Sequence, residues 1–197
     1  MFPVNSKYGK TELCVGGLST VIYRFPALTI DHWLQTINYF CFLMKILMVC
    51  LGNICRSPLA EGILKHKAKA AGLNWQVESA GTNGYHIGEA PHRLSQKVAQ
   101  LNGIDICEQR ARQFVAADFD RYDKIYAMAD DVIDDMKRIA KAKFNPGKAE
   151  LLLNEVYPGE NRSVMDPWYG EEPGYHQVYK LIDEACDAIL SKYAPIP

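Results

Sequence analysis

The sequence predicts an α/β fold: one domain built on an open parallel sheet with helices on both faces. Three observations predict it. Lys45-Ile46-Leu47-Met48-Val49-Cys50 is a short, almost continuous apolar run, as a strand buried on both faces requires. Strand and helix patterns then alternate four times over about 150 residues. The last helix pattern is strongly one-faced, with Val178, Leu181, Ile182, Ala185, Cys186 and Ile189 together.

The elements follow in order. Residues 1–43 contain Gly16-Gly17 and scattered aromatics without a clear period, and they lack the n-region and cleavage site of a signal peptide. The run from Trp33 to Cys50 is interrupted by Gln35, Asn38 and Lys45, so it does not read as a membrane span. Residues 1–43 are therefore expected to be a disordered extension, or to lie outside the mature protein, with the folded domain over 44–197. After the first strand comes a Gly/Asn loop, and Ser57-Pro58 supplies a cap and first-turn pair for a helix. Leu59, Ile63 and Ala70 give that helix a narrow inner stripe, and Gly72 closes it. Trp75 to Ala80 alternates as a second strand and ends in Gly81-Thr82-Asn83-Gly84. Pro91 to Gly103 is a second helix, with Leu94, Val98 and Leu101 facing inward. Lys124 to Met128 is a third strand, followed by a helix marked by Val132, Ile133, Met136 and Ile139. Ala149 to Leu153 is a fourth short strand, and a polar loop through Asp166 to Pro173 leads to the last helix. Sites in such sheets lie beyond the C-terminal ends of the strands, where Cys50 and Asp166 both fall.

Composition sets limits. A chain of 197 residues suits one well-packed domain. A net charge of -1 provides no basic field, which argues against nucleic acid as a partner. The six cysteines (Cys14, Cys41, Cys50, Cys55, Cys107, Cys186) form no Cys-x-x-Cys pair or Cys/His cluster, so no metal site is expected. Reduced thiols in a cytoplasmic protein are the default, which leaves room for a reactive one.

The chemistry centres on Cys50-Leu51-Gly52-Asn53-Ile54-Cys55-Arg56-Ser57. A cysteine ending a strand is ordinarily a small core residue, and an arginine opening a helix is ordinarily solvated. Here they bracket a strand–loop–helix junction whose Gly and Asn tolerate unusual backbone angles. Backbone N–H groups that point inward, with the helix dipole behind them, make an anion cradle. Arg56 adds a planar fork for two phosphate oxygens. The same field favours a thiolate, making Cys50 a nucleophile at neutral pH, and Ser57 can donate to its sulfur. Attack on phosphorus needs an acid for the departing oxygen. Asp166 is the candidate, with Trp168 and Tyr169 as walls for a ring-bearing substrate; alone, Asp166-Pro167 would be a common turn. His86 reads equally as a residue orienting the loop or as a surface histidine, whereas His66, His92 and His176 read as helix-face residues. Cys55 is a possible redox partner of Cys50, through a reversible disulfide that would prevent over-oxidation.

Val49-Cys50-Leu51-Gly52-Asn53-Ile54-Cys55-Arg56-Ser57-Pro58, followed by Ala60-Glu61, resembles the signature of the low-molecular-weight protein tyrosine phosphatases. Ser79-Ala80-Gly81-Thr82, Arg110-Ala111-Arg112-Gln113 and Asp166-Pro167-Trp168-Tyr169 match in the family's order, so the resemblance covers about Met44 to Leu190. It implies a single-domain flavodoxin-like open twisted sheet of four parallel strands, a phosphocysteine on Cys50 and no cofactor. It further implies phosphate binding by Arg56, loop shaping by Asn53 and Ser57, and Asp166 as acid and then base. Its substrate would be a tyrosine-phosphorylated protein. Separately from the resemblance, a monomer or weak dimer is expected. The chain departs from the family at three places: Gln109 where histidine is common, Ala129 where aspartate is common, and Trp168 where tyrosine is common. Two alternatives share the fold. A thiol-dependent arsenate reductase needs a further close cysteine pair, and only Cys107 and Cys186 remain beyond the loop. A protein-arginine phosphatase tends to carry threonine where this chain has Ile54, and the larger apolar residue suits an aryl phosphate.

Overall fold

In the computed structural model, which describes two strands within residues 10–23 and then residues 43–194, the apolar run Lys45–Cys50 is an inner strand of a four-stranded sheet. The chain divides into two compact units, Met1–Cys41 and Phe42–Pro197. The first contains β1 (Lys10–Val15) and β2 (Leu18–Tyr23), paired antiparallel from Lys10↔Tyr23 to Val15↔Leu18. Apart from this hairpin, the expectation for residues 1–43 falls outside the described residues. No such pair was expected from the sequence.

The second unit runs β3 (Lys45–Cys50), α1 (Arg56–Ala70), β4 (Gln76–Gly81), α2 (Arg93–Leu101), α3 (Asp118–Arg121), β5 (Lys124–Ala127), α4 (Asp130–Ala140), β6 (Ala149–Leu151) and α5 (Glu172–Tyr193). The sheet order is β4-β3-β5-β6 and every pairing is parallel, which is the flavodoxin-like order. Strand alternation divides the core. Ile46, Met48, Tyr126 and Met128 pack with Leu59, Ile63, Val178, Ile182 and Ile189 on one side. Leu47, Val49, Ile125 and Ala127 pack with Phe114, Phe119, Val132 and Met136 on the other. Helices therefore cover both faces, α1 and α5 on the first and α4 on the second.

Several boundaries and faces differ from the sequence reading. Arg56 to Leu64 are buried around the whole circumference of α1, and Ala70 is exposed, because the first turns lie between the sheet, α2 and α5. Leu101 is exposed: its place against α1 is taken by Ile104 and Ile106, which approach so closely that a Cβ on Gly62 would lie 2.5 Å from Ile106. The fourth strand stops at Leu151, and Leu152–Glu155 turns as a 3₁₀ helix that puts Leu152 and Leu153 into the opposite core from Leu151. The short α3 was not expected.

Candidate active site

Cys50 ends β3 beside Gly81, the last residue of β4, and the chain then curls through Leu51 to Cys55 into α1. This is the reversal point of the strand order, where an open α/β sheet leaves a crevice. Gly81 is required by that curl: a Cβ there would lie 2.8 Å from the Leu51 carbonyl oxygen and 3.0 Å from the Asn53 nitrogen. Cys50 Sγ lies 3.0 Å from Ser57 Oγ and accepts the Asn53 N–H at 3.2 Å. The expectation that Ser57 caps α1 is corrected by this contact. The cap position is Cys55, without a side-chain cap bond, because the serine hydroxyl faces the sulfur. N–H groups of the first turn are thus left for an anion.

Asn53 holds the loop. Its φ of 56° is left-handed, a region asparagine tolerates better than most residues. Its Nδ2 donates to Ser57 Oγ at 3.0 Å and to Ser79 Oγ at 2.9 Å, while its Oδ1 accepts the Arg112 N–H at 2.9 Å. Ser79 in turn donates to the buried Glu61 carboxylate at 2.5 Å. Glu61, Ser79 and Arg112 thus brace the loop from behind. Sequence reasoning placed them within matching motifs without assigning them roles. The register Met48↔Ser79, which sets Ser79 two residues short of the Cys50↔Gly81 pair, is the feature that brings Ser79 under the loop.

Arg56 is 4% exposed, and its fork is already engaged. Nη1 donates to the Val164 carbonyl at 3.1 Å, and Nη2 meets Asp166 Oδ2 at 2.6 Å. The Asp166 segment is carried to this edge by Val164, whose N–H donates to the Met128 carbonyl at 2.7 Å just past β5. The Asp166 side chain is 43% exposed and so remains open to a substrate. A cavity of about 160 Å³ collects nearly all the predicted residues: Cys50, Leu51, Gly52, Ile54, Cys55, Arg56, Asp166, Trp168 and Tyr169 line it. Asn53 and Ser57 stand behind the wall instead. Asn83 and His86 also line it, and the His86 ring would touch a Cβ on Gly52 at 3.2 Å. Trp168 is the partly covered wall, whereas Tyr169 is 97% exposed. A wider cleft of about 550 Å³ between α1 and residues 103–109 contains neither Cys50 nor Asp166.

The other thiols are differently placed. Burial pushes the Cys55 thiol up to about 12, with its sulfur 3.7 Å from the Tyr175 hydroxyl, so it is protonated at neutral pH. Cys107 donates to Gln96, and Cys186 is buried under α1 near the Ala60 carbonyl. All four described cysteines are free thiols, and Cys107 and Cys186 have separate partners, unlike the close pair a reductase relay needs. Among the described residues no group of three or more His, Cys, Asp or Glu is placed to hold a metal ion. The departures at 109 and 129 have local consequences. Gln109 donates to the Pro58 carbonyl at 3.3 Å but leaves its buried Oε1 without a partner. Ala129 offers α4 no side-chain cap, and the Asp130 N–H donates to Ser163 Oγ at 3.1 Å instead.

Comparison with known proteins identifies the family and the fold. The family model described as low molecular weight phosphotyrosine protein phosphatase matches residues 45–194. The low molecular weight protein-tyrosine-phosphatase YfkJ of Bacillus subtilis is 36% identical over 151 residues, 76% of this chain and 95% of that protein. Its crystal structure superposes with a TM-score of 0.69 over 76% of this chain and 94% of that one. The low molecular weight phosphotyrosine protein phosphatase of Homo sapiens is 35% identical over 75% of this chain and 94% of its own length. A Drosophila arginine phosphatase is also similar, at 31% identity and a TM-score of 0.71 over 78% of this chain and all of that one.

Proposed function

The chain belongs to the low molecular weight phosphotyrosine protein phosphatase family, and from that premise we propose how its residues hydrolyse protein phosphotyrosine. The Cys50 sulfur attacks phosphorus while Arg56 and the loop N–H groups hold the oxygens on which charge builds up. Asp166 protonates the departing phenolate oxygen. Water then attacks the phosphocysteine, Asp166 takes its proton, and the Ser57 hydroxyl donates to the sulfur as it leaves as thiolate. The observation that carries this reading is the single guanidinium of Arg56: it closes the nucleophile's loop and meets the proposed acid at 2.6 Å. A phosphate in the loop would therefore lie between Cys50 and Asp166, as in-line transfer requires.

Ile54 and Trp168 in the cavity wall support an aryl phosphate as substrate. The reading includes a cytoplasmic catalytic domain over 44–197, with residues 1–43 as an extension to it. It acts on tyrosine-phosphorylated proteins as a monomer or weak dimer, with no nucleic-acid or membrane partner and no cofactor. Among the described residues no helix is long and apolar enough to cross a membrane. A balanced charge of -1 supports a protein substrate over nucleic acid.

The test is Cys50→Ser, which should abolish turnover of p-nitrophenyl phosphate and of a phosphotyrosyl peptide while inorganic phosphate still binds. Substantial residual activity would refute the covalent route. Likeness to the arginine phosphatase supplies a second reading, and a larger kcat/KM on a phosphoarginyl than on a phosphotyrosyl peptide would transfer the assignment to it.

A further inference from the structure

Trp168 is held between two imidazoles. His86 meets it with ring centroids 5.6 Å apart and His92 with 5.5 Å, the latter edge-on at 61°. The two histidines differ in position. His86 lines the cavity, whereas His92 does not. Instead His92 joins three parts of the site. Its N–H donates to the Ile54 carbonyl at 2.7 Å, which ties it to the phosphate loop. Its ring stacks on Tyr175 of α5 at 5.3 Å and 18°, and its edge carries Trp168 of the acid loop. Tyr175 is fully buried, so this stack connects a part-exposed indole to a ring of the core.

His92 also occupies the cap position of α2, where its Nδ1 accepts the Leu94 N–H at 3.4 Å. That is a long bond, and aspartate, asparagine or serine cap helices better. Capping alone does not account for an imidazole here. A flat ring filling the gap between Tyr175 and Trp168 does.

We infer that His92 is a positioning residue that holds Trp168 as the wall of the pocket, and so sets affinity for the substrate's aromatic ring without entering the cavity. The inference rests on the aryl-phosphate reading above. Trp168 is 40% exposed, and its backbone is anchored by the turn bond from its N–H to Asp166 Oδ1 at 3.1 Å. Its indole therefore depends on the flanking rings for orientation. Loss of one aromatic contact of this kind corresponds to roughly a fivefold change in affinity.

Two substitutions separate the clamp from the cap. His92→Asn keeps a good cap and adds no charge but removes the ring. It should raise KM for p-nitrophenyl phosphate and a phosphotyrosyl peptide roughly fivefold, leave kcat nearly unchanged, and unfold at the wild-type urea concentration. KM for glycerol phosphate, which has no ring, should not move. His92→Phe keeps the ring and loses the cap, so KM on aryl substrates should stay within about twofold while stability falls. Acrylamide quenching assigned to Trp168, as the difference from Trp168→Phe in each background, should rise in His92→Asn and not in His92→Phe. An unchanged aryl KM in His92→Asn, or an equal rise with glycerol phosphate, overturns the inference. So does His92→Phe as impaired as His92→Asn. Should the wild type fail on aryl phosphates altogether, the underlying reading fails, and the quenching comparison still decides the clamp.

Discussion

Replacing Asn53 by alanine tests the bracing of the phosphate loop most directly. The change deletes the bonds to Ser57 and Ser79 and strands the Arg112 N–H, which has no freedom to re-aim. The two hydroxyls can rotate towards other acceptors, Ser79 already facing Glu61 and Ser57 lying 3.4 Å from the Ala80 carbonyl. An unsatisfied buried donor contributes about 2 kcal/mol of destabilisation, and an alanine held at left-handed φ about 1 kcal/mol more. Asn53→Ala should therefore lower unfolding free energy by about 3 kcal/mol. Asn53→Gly removes the backbone part, though it returns some of the gain as chain entropy, and should lose about 2 kcal/mol. Urea unfolding of the three proteins measures this, and initial rates on p-nitrophenyl phosphate should fall at least about tenfold in both variants, since 1.4 kcal/mol of misplacement suffices. A loss under about 1 kcal/mol in Asn53→Ala, with wild-type turnover, would refute the bracing role.

Three further outcomes are expected. In kcat/KM, which reads only the transfer to Cys50, Asp166→Asn should slow phenyl phosphate by about 10²- to 10⁴-fold and p-nitrophenyl phosphate much less, because only the poorer leaving group needs the proton; equal losses of kcat/KM on the two substrates would argue against Asp166 as the acid. Gly81→Ala places a methyl 2.8 Å from the Leu51 carbonyl oxygen, and should destabilise by about 1–3 kcal/mol with loss of turnover; an unchanged urea midpoint would show that the loop does not rest on β4 as described. With its thiol pushed up to about 12, Cys55 should escape iodoacetamide at pH 7 while Cys50 is labelled, which peptide mapping would show. Peroxide inactivation should then be reversed by dithiothreitol in the wild type but not in Cys55→Ser, and equal recovery would exclude a protective Cys50–Cys55 disulfide.

Local patterns were legible where one interaction dominates. The run Ile46 to Val49 is apolar on both faces and had to be an inner strand, and the stripe through Val178, Ile182, Ala185 and Ile189 had to face the sheet. Boundaries were less legible where a neighbour decides them. Leu101 has the right spacing to be buried, yet Ile104 and Ile106 take its place because Gly62 lets them approach α1. Leu152 and Leu153 continue an apolar run, yet the chain turns there to fill the opposite core.

The loop from Cys50 to Ser57 shows the same division. Its residue types, read with their place between a strand and a helix, pointed to an anion cradle with a sulfur nucleophile, which the spacing of cysteine and arginine alone would not have done. Tertiary structure decided which groups each side chain meets. Ser57 turns to the sulfur and away from its own helix, Asn53 takes partners 26 and 59 residues away, and Arg56 reaches 110 residues along the chain to Asp166. His92, read from sequence as a helix-face residue, became the link between Ile54, Tyr175 and Trp168. Such contacts depend on where parallel strands end relative to one another. That register is set by the packing of the whole sheet, and no local stretch of sequence contains it.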